Sequence, residues 1–147
     1  MPSQRIEQPG LKLRVSAEGR RISSQHRQLD AIFARVEAAL ERGAEQDARD
    51  ALERFRDAWD AHTSLEDGFY FPALRGLRPE LGPRLDALSA EHERFREAIE
   101  RVEAVFGDAA ARADSLARFV TDISEHERRE EALLAEIAEA GGKPPAR

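Results

Sequence analysis

The sequence predicts an all-α protein: an antiparallel up-down-up-down four-helix bundle with an irregular N-terminal arm. Charged residues make up 35% of the chain and hydrophobic residues 41%. Ala, Glu, Arg and Leu dominate, which is typical of long amphipathic helices. Apolar residues recur at three- and four-residue spacing, and glycines and prolines divide this pattern into four helical stretches.

The chain divides into three parts. Residues 1–16 are expected to form the arm, because prolines, a glycine and alternating apolar residues replace the helical spacing there. Residues 17–142 are expected to form the bundle. Residues 143–147 follow two glycines and are expected to form a flexible C-terminal tail.

The helix boundaries follow from glycine, proline and capping residues. Gly43 is expected to end the first helix as its C′ residue, and Pro72 to break or kink the second. Pro83 suits the first turn of the third helix, and Asp108 is a good N-cap for the fourth. The residues from 71 to 83 are expected to form the one long connection. The four helices are expected at about residues 17–42, 44–70, 83–106 and 109–142.

Composition excludes several classes of function. The net charge is −6 without a basic stripe, so nucleic acid is not an expected partner. The chain has no cysteine, which excludes disulfides, thiolate nucleophiles and iron–sulfur clusters. No apolar run reaches membrane length, and the N-terminal stretch before His26 lacks the apolar region of a signal peptide. A cytoplasmic protein that does not bind membranes is therefore expected.

The four histidines carry the strongest functional signal. Two copies of one pattern are present, and in each a solitary histidine is followed, at nearly the same separation, by His-x-x-x-Glu. On a helix, the histidine and glutamate of His-x-x-x-Glu share one face, so they can bind one metal ion or bridge two. The two copies are His26 with His62 and Glu66, and His92 with His126 and Glu130.

The positions of these residues along the predicted hairpins test the idea of a shared site. His26 and His62 lie at nearly equal separations on either side of Gly43, and His92 and His126 lie at similar separations on either side of Gly107. At about 1.5 Å per residue, the mismatches are only about 3 and about 6 Å. One layer of the bundle can therefore hold all six side chains.

The chemistry of the six residues favours a metal site. Burying them in one layer without partners would cost several kcal/mol. Nitrogen and oxygen ligands with two bridging carboxylates suit a pair of iron or manganese ions, and the ligand types also accommodate zinc.

This arrangement resembles the hemerythrin-like (HHE cation-binding) family over essentially residues 20–140. The resemblance rests on the order and spacing of the two copies and on the string Phe69-Tyr70-Phe71-Pro72. It implies two iron ions, joined by an oxo or hydroxo bridge, inside a four-helix bundle. The four histidines would be terminal ligands, and Glu66 and Glu130 would be the bridging carboxylates.

Two departures from the oxygen carriers of that family argue against reversible oxygen carriage. Arg96 stands where the carriers have a fifth histidine, one turn after His92. Glu130 follows His126 by four residues, whereas the carriers use an aspartate five residues on. The ligand expected from the resemblance is small and diatomic or peroxidic, namely oxygen, nitric oxide or hydrogen peroxide.

Further residues near the six are candidates for an additional ligand or a supporting contact. Tyr70, four residues after Glu66, either points its phenol at the site or forms an aromatic wall. Asp30, four residues after His26, either orients that ring or is exposed, and Arg96 points either inward or out to solvent. Glu91 and Glu131 are expected outside the site. An apolar wall is expected from Phe33, Trp59, Phe69 and Phe95.

Three functions remain open at this point. The first is a protein that binds oxygen or nitric oxide for sensing, scavenging or storage. The second is a non-haem di-iron oxidoreductase with peroxidase, catalase-like or nitric-oxide-reducing activity. The third is an iron-sensing or iron-handling protein. The sequence identifies no catalytic residue and no protein partner.

Overall fold

The computed structural model describes residues 9–142, and the side chains of residues 10–139. All regular structure within 9–142 is helical, which confirms the predicted all-α class. Four helices are long, and the fifth is a short helix that follows a π-helical turn at Glu66–Tyr70. The α-helices are α1 (Pro9–Glu41), α2 (Glu45–Leu65), α3 (Phe71–Leu77), α4 (Gly82–Ala104) and α5 (Ala109–Gly142), with a 3₁₀ turn at Pro79–Leu81 before α4.

The first helix begins earlier than the sequence predicts. Residues 9–16, expected in the irregular arm, are helical. Proline suits a helix start because it has no N–H to leave unpaired. Val15 and Ile22 are buried, whereas Leu13 is 72% exposed, so the apolar residues follow helical spacing and not a period of two. Residues 1–8 and the predicted tail at 143–147 lie outside the described residues.

The predicted end of α1 is confirmed by its hydrogen bonds. Gly43 has a left-handed φ of 73°, a conformation that suits glycine. Its N–H donates to the carbonyl of Leu40, and the N–H of Ala44 donates to that of Ala39. This pair of bonds is a Schellman motif, which reverses the chain into α2 within a short turn.

The connection expected from residue 71 to 83 is mostly helical, so that prediction is wrong. The N–H of Phe71 donates to the carbonyl of Glu66, five residues back, which makes the turn π-helical. Pro72 then lies in the first turn of α3, where its missing N–H is tolerated. The chain therefore remains helical from α2 through the π turn into α3. Pro83 lies in the first turn of α4, as predicted.

The start of the last helix also agrees with the sequence. Asp108 accepts a hydrogen bond from the N–H of Ala111 through Oδ1, at 3.2 Å. This bond satisfies one of the free donors of the first turn, as an N-cap does. Among residues 9–142, no helix combines the length and the apolar character that a membrane span requires.

The long helices pack in neighbouring pairs around two apolar clusters. α1 contacts α2, α4 contacts α5, and further contacts join α2 to α4 and α1 to α5. On each long helix, the histidine of the predicted site falls between a residue of one cluster and a residue of the other. These flanking residues are Ile22 and Leu29 on α1, Trp59 and Tyr70 on α2 and its π turn, Leu88 and Phe95 on α4, and Ile123 and Leu133 on α5.

Candidate metal centre

The structure brings together the six residues of the two sequence patterns. None of them exposes more than 6% of its surface. Their ligand atoms form two groups, within each of which all atoms lie within 4.8 Å of one another. The first group, called here the first metal position, is His26, His62 and Glu130; the second metal position is Glu66, His92, His126 and Glu130.

Glu130 belongs to both positions because its two oxygens face different histidines. Oε1 lies 3.5 Å from Nε2 of His26 and 3.9 Å from Nε2 of His62. Oε2 lies 2.5 Å from Nε2 of His126. A carboxylate in this orientation can bridge two cations.

Glu66 also joins the two positions, through a single oxygen. Its Oε1 lies 2.9 Å from Nε2 of His62 and 3.4 Å from Nε2 of His92. The π turn that begins at Glu66 places this residue at the junction of α2 and α3. π-helical turns inside helices are frequent at functional sites.

On the side facing away from the centre, Nδ1 of each histidine lies within hydrogen-bond distance of a side-chain oxygen from another helix or from the π turn. The Nδ1 atoms lie 2.7–2.9 Å from these oxygens. A ring that donates its Nδ1–H to a carboxylate keeps a free lone pair on Nε2, which is the tautomer that binds metal there. The pairs are His26 with Glu131, His62 with Gln25, His92 with Asp67, and His126 with Glu91.

These supporting contacts form a closed ring through the four long helices. A residue of α1 holds the histidine of α2, and the π turn after α2 holds that of α4. α4 in turn holds the histidine of α5, and α5 holds that of α1. In every case the supporting residue is the sequence neighbour of a predicted ligand on its own helix. α1, α4 and α5 thus each contribute both a ligand and the support for another ligand, and α2 does so together with the π turn that follows it.

When each ring carries its proton on Nδ1 and both carboxylates are ionised, the centre of the cluster contains only acceptors. Within the described side chains, the four Nε2 atoms and all four oxygens of Glu66 and Glu130 are buried and make no hydrogen bond. Leaving so many buried polar atoms unpaired is costly. Lone pairs that converge in this way are satisfied by cations, so the residues fit a pair of metal ions.

A comparison with protein families agrees with this geometry. The model of the hemerythrin HHE cation binding domain matches residues 20–138. The chain belongs to the hemerythrin HHE cation-binding family. No curated protein and no solved structure matches it significantly.

When no cation is bound, protons would take its place on some of these groups of the hemerythrin domain. Burial raises the pKa of Glu66 to about 9, and the nearby Glu130 acts in the same direction. Burial would also raise the pKa of Glu130, but contacts with Glu66, His126 and His26 hold it well below its usual range. One proton therefore stays on Glu66 while Glu130 remains ionised.

The two histidines of the first metal position differ in their pKa values. Burial would lower the pKa of His26, but Glu130 and Glu131 outweigh it and raise the value to about 9. Burial lowers the pKa of His62 to about 4, and Glu130 only partly opposes this. At neutral pH the metal-free centre therefore holds protons on Glu66 and His26, and His62 is neutral.

The structure decides between the two alternatives for Asp30, and the expectation that Glu91 and Glu131 lie outside the site is wrong. Asp30 is exposed and pairs with Glu127, so it does not orient His26. Glu131 performs that role, with Oε1 at 2.8 Å from Nδ1 and a hydrogen bond from Ser23 on Oε2. Glu91 also supports the site, through His126. Asp30 shares a helix face with His26, but contacts between helices decide which residue orients the ring.

Two further candidates, Arg96 and Tyr70, are also placed. Arg96 points away from the centre, with 43% of its side chain exposed and ion pairs to Asp60 and Glu93. Tyr70 is buried, and its hydroxyl lies against α1, where a Cβ added at Gly19 would be 3.2 Å from it. Arg96 therefore contributes neither a ligand nor a charge to the centre, and Tyr70 forms part of the packing between α1 and the π turn.

The apolar wall differs in part from the prediction. The ring of Trp59 lies 5.8–6.0 Å from three of the histidine rings. Phe95 contacts the ring of His126, and Phe71 stacks on that of His92. Phe33 packs with other phenylalanines, and Phe69 lies under the guanidinium of Arg14, so neither ring is paired with a ligand.

Gln25 and Asp67 also support the site, and neither contribution was predicted from the sequence. Their position directly before or after a ligand is a signal, but it is a weak one in a chain this rich in charged residues. The decisive fact is the orientation of neighbouring helices, which aims each residue at a histidine elsewhere in the chain.

Proposed function

We propose that this hemerythrin domain is a di-iron protein that binds or reacts with oxygen, nitric oxide or hydrogen peroxide. The proposal includes an antiparallel up-down-up-down arrangement of α1, α2, α4 and α5. One observation supports it most strongly. Oε1 of the buried Glu130 faces Nε2 of His26 and of His62, while its Oε2 faces Nε2 of His126, and none of these atoms makes a hydrogen bond within the described side chains.

The ligand roles follow from the two metal positions. His26 and His62 would hold one ion, and His92 and His126 the other, while Glu66 and Glu130 would join them. The family resemblance favours iron among the metals that these nitrogen and oxygen ligands accept. When bound, a pair of iron ions supplies one-electron chemistry and a coordination position for a small ligand.

The protein's own residues control access and protons. Trp59, Phe71 and Phe95 surround the histidine rings with apolar surface, which excludes water and admits small neutral molecules. Glu131 is 44% exposed and contacts Nδ1 of His26. It thus places a proton acceptor between that ring and solvent.

Peroxide or nitric oxide chemistry is favoured over reversible oxygen carriage. All four histidines of the chain lie at the centre, so none remains to act as the fifth histidine of the oxygen carriers. Arg96, which stands at that place in the sequence, points to Asp60. Each metal would therefore keep an open position, which favours reaction with a bound ligand over its storage.

Metal analysis and stopped-flow spectroscopy test the proposal together. Protein produced with sufficient iron should contain about two iron ions per chain, and loading of zero or one would overturn the di-iron assignment. The reduced protein should react rapidly with hydrogen peroxide or nitric oxide. A long-lived oxygen adduct that releases oxygen under vacuum would instead assign the protein to oxygen carriage.

Iron sensing or handling is a second candidate, supported by the unpaired acceptors at the centre. The buried Nε2 and carboxylate oxygen atoms there make no hydrogen bond in the described structure, so the folded state should depend on bound metal. Unfolding measured across a range of free iron(II) tests this function. If the protein is an iron sensor, its free energy of unfolding should change with iron concentration, and its turnover of peroxide should be slow.

A further inference from the structure

The supports of the two metal positions differ in charge. At the second position, His92 is held by the carboxylate of Asp67 and His126 by that of Glu91. At the first position, His26 is held by the carboxylate of Glu131, but His62 is held by the neutral amide of Gln25. A carboxylate on Nδ1 makes an imidazole a stronger metal ligand than an amide does.

Gln25 also allows His62 to carry its proton on either ring nitrogen, Nδ1 or Nε2. A carboxylate can only accept, so it fixes the proton on Nδ1 and the lone pair on Nε2. An amide can instead turn its NH₂ group to the ring and donate to Nδ1. Nε2 of His62 would then carry the proton and donate it to Oε1 of Glu66, 2.9 Å away. In that arrangement the metal-free ring is satisfied but cannot bind metal.

The two carboxylates that support the second position are themselves held in place by hydrogen-bond donors. Arg129 donates two hydrogen bonds to Glu91, at 2.5 and 2.8 Å, and Ser89 donates to Asp67 at 2.6 Å. Arg129 offsets part of the charge on Glu91 but also holds its carboxylate in place. Four ligand groups of the second position lie within 4.8 Å of one another, whereas only three do so at the first position, where Glu66 contacts His62.

We infer that the two metal positions bind in sequence, with the second position (His92 and His126) filled first and the first position (His26 and His62) filled more weakly because of Gln25. This inference rests on the proposed di-metal function. It assigns Gln25 as a positioning residue that sets the difference in affinity, and it predicts a stable state with one metal ion per chain. Loss of a carboxylate support typically costs about 10–100-fold in metal affinity, so the two steps should differ by at least about tenfold.

Anaerobic titration of the metal-free protein with iron(II), against a competing chelator, tests this inference. The wild-type chain should show two steps. Gln25→Glu should strengthen the weaker step about tenfold and leave the tighter one unchanged. Glu91→Gln makes the reverse change at His126 and should weaken the tighter step by a similar factor. Both variants should therefore bring the two steps closer together, from opposite directions.

Gln28→Glu is the matched control. Gln28 is exposed on the same helix, so its replacement adds the same charge without a contact to a histidine. It should leave both steps unchanged. Circular dichroism of each metal-free variant checks that the helices are retained.

The outcomes separate the inference from the function on which it rests. No iron binding by the wild-type chain would overturn the proposed function. Two ions bound with equal affinity would overturn the inference alone. An equal effect of Gln25→Glu and Gln28→Glu would also overturn it, because general charge and not the contact with His62 would then set the affinity.

Discussion

Glu131 of α5 holds His26 of α1, with Oε1 at 2.8 Å from Nδ1 across 105 residues of sequence. This contact joins the last helix to the first and closes the ring of supports around the metal centre. When His26 is neutral, as metal binding requires, this contact also keeps its remaining proton on Nδ1, on the side away from the centre. The supporting residues should therefore affect metal binding although they touch no metal.

Replacing Glu131 tests that role. Glu131→Ala should lower the affinity for iron(II) about 10–100-fold, because His26 loses the acceptor that orients its ring. Glu131→Gln keeps a hydrogen-bond acceptor without the charge, so its loss should be smaller. Competition with a chelator under anaerobic conditions measures both. Glu139→Ala, which removes an exposed acid from the same helix, is the control, and an equal loss there would contradict the assigned role.

Removal of metal should destabilise the fold. The buried acceptors of Glu66, Glu130 and the histidines are satisfied only by cations or protons. Metal at about 100 times its dissociation constant adds about 2.7 kcal/mol to the free energy of unfolding. For a chain of this size, that corresponds to a rise of roughly 5–10 °C in Tm. Calorimetry with and without iron measures it, and equal melting temperatures in protein shown to bind iron would contradict the prediction.

Metal binding should release protons. In the metal-free chain the pKa of Glu66 and that of His26 are both raised to about 9, so both groups are protonated at pH 7. A metal ion requires their deprotonated forms. Iron binding at pH 7 should therefore release about two protons, and its affinity should increase between pH 6 and 8. Calorimetric titration in buffers with different heats of ionisation counts the protons, and the absence of release would contradict these assignments.

The same shifts fix the sign of the pH dependence of the metal-free fold. The pKa of His26 is higher in the folded chain than in the unfolded one, so its contribution is complete below pH 6.5 and is lost as the pH rises through about 9. The raised pKa of Glu66 acts in the same direction, from about 4.5 upward. The metal-free Tm should therefore fall between pH 6.5 and 9. The iron-bound form, in which cations replace these protons, should show a smaller fall.

Helix periodicity was sufficient to predict most of the fold and the convergence of the six residues. Their separations from Gly43 and Gly107 measure height along a hairpin, and the constant rise per residue of an α-helix converts that height into position. The caps at Gly43 and Asp108 were predictable because each satisfies backbone groups of its own helix. These are local properties, and a sequence records them directly.

The supports of the histidines were not predictable in the same way. Asp30 lies on the same helix face as His26, yet Glu131 on another helix makes the bond. The choice depends on how far neighbouring helices are rotated about their axes, which periodicity does not determine. The π turn that begins at Glu66 was not predictable either. A single backbone hydrogen bond that spans five residues instead of four changes which side chains face the centre.

Trp59 offers a direct optical measure of metal binding. It is the only tryptophan of the chain and is buried, with its ring 5.9 Å from that of His62, 5.8 Å from that of His92 and 6.0 Å from that of His126. It therefore lies beside ligands of both metal positions. Excited indole loses its energy readily to a nearby metal ion with a partly filled d shell, and this loss decreases steeply with distance.

Iron(II) or cobalt(II) should therefore quench most of the tryptophan emission, and the quenching should end at about two equivalents if each position holds one ion. Zinc(II), whose d shell is filled, should bind with much less quenching. Trp59→Phe should remove the signal while metal analysis still finds the bound ions. Emission that stays unchanged in protein shown to hold two iron ions would mean that the metals lie elsewhere, and the assignment of the centre to these six residues would be wrong.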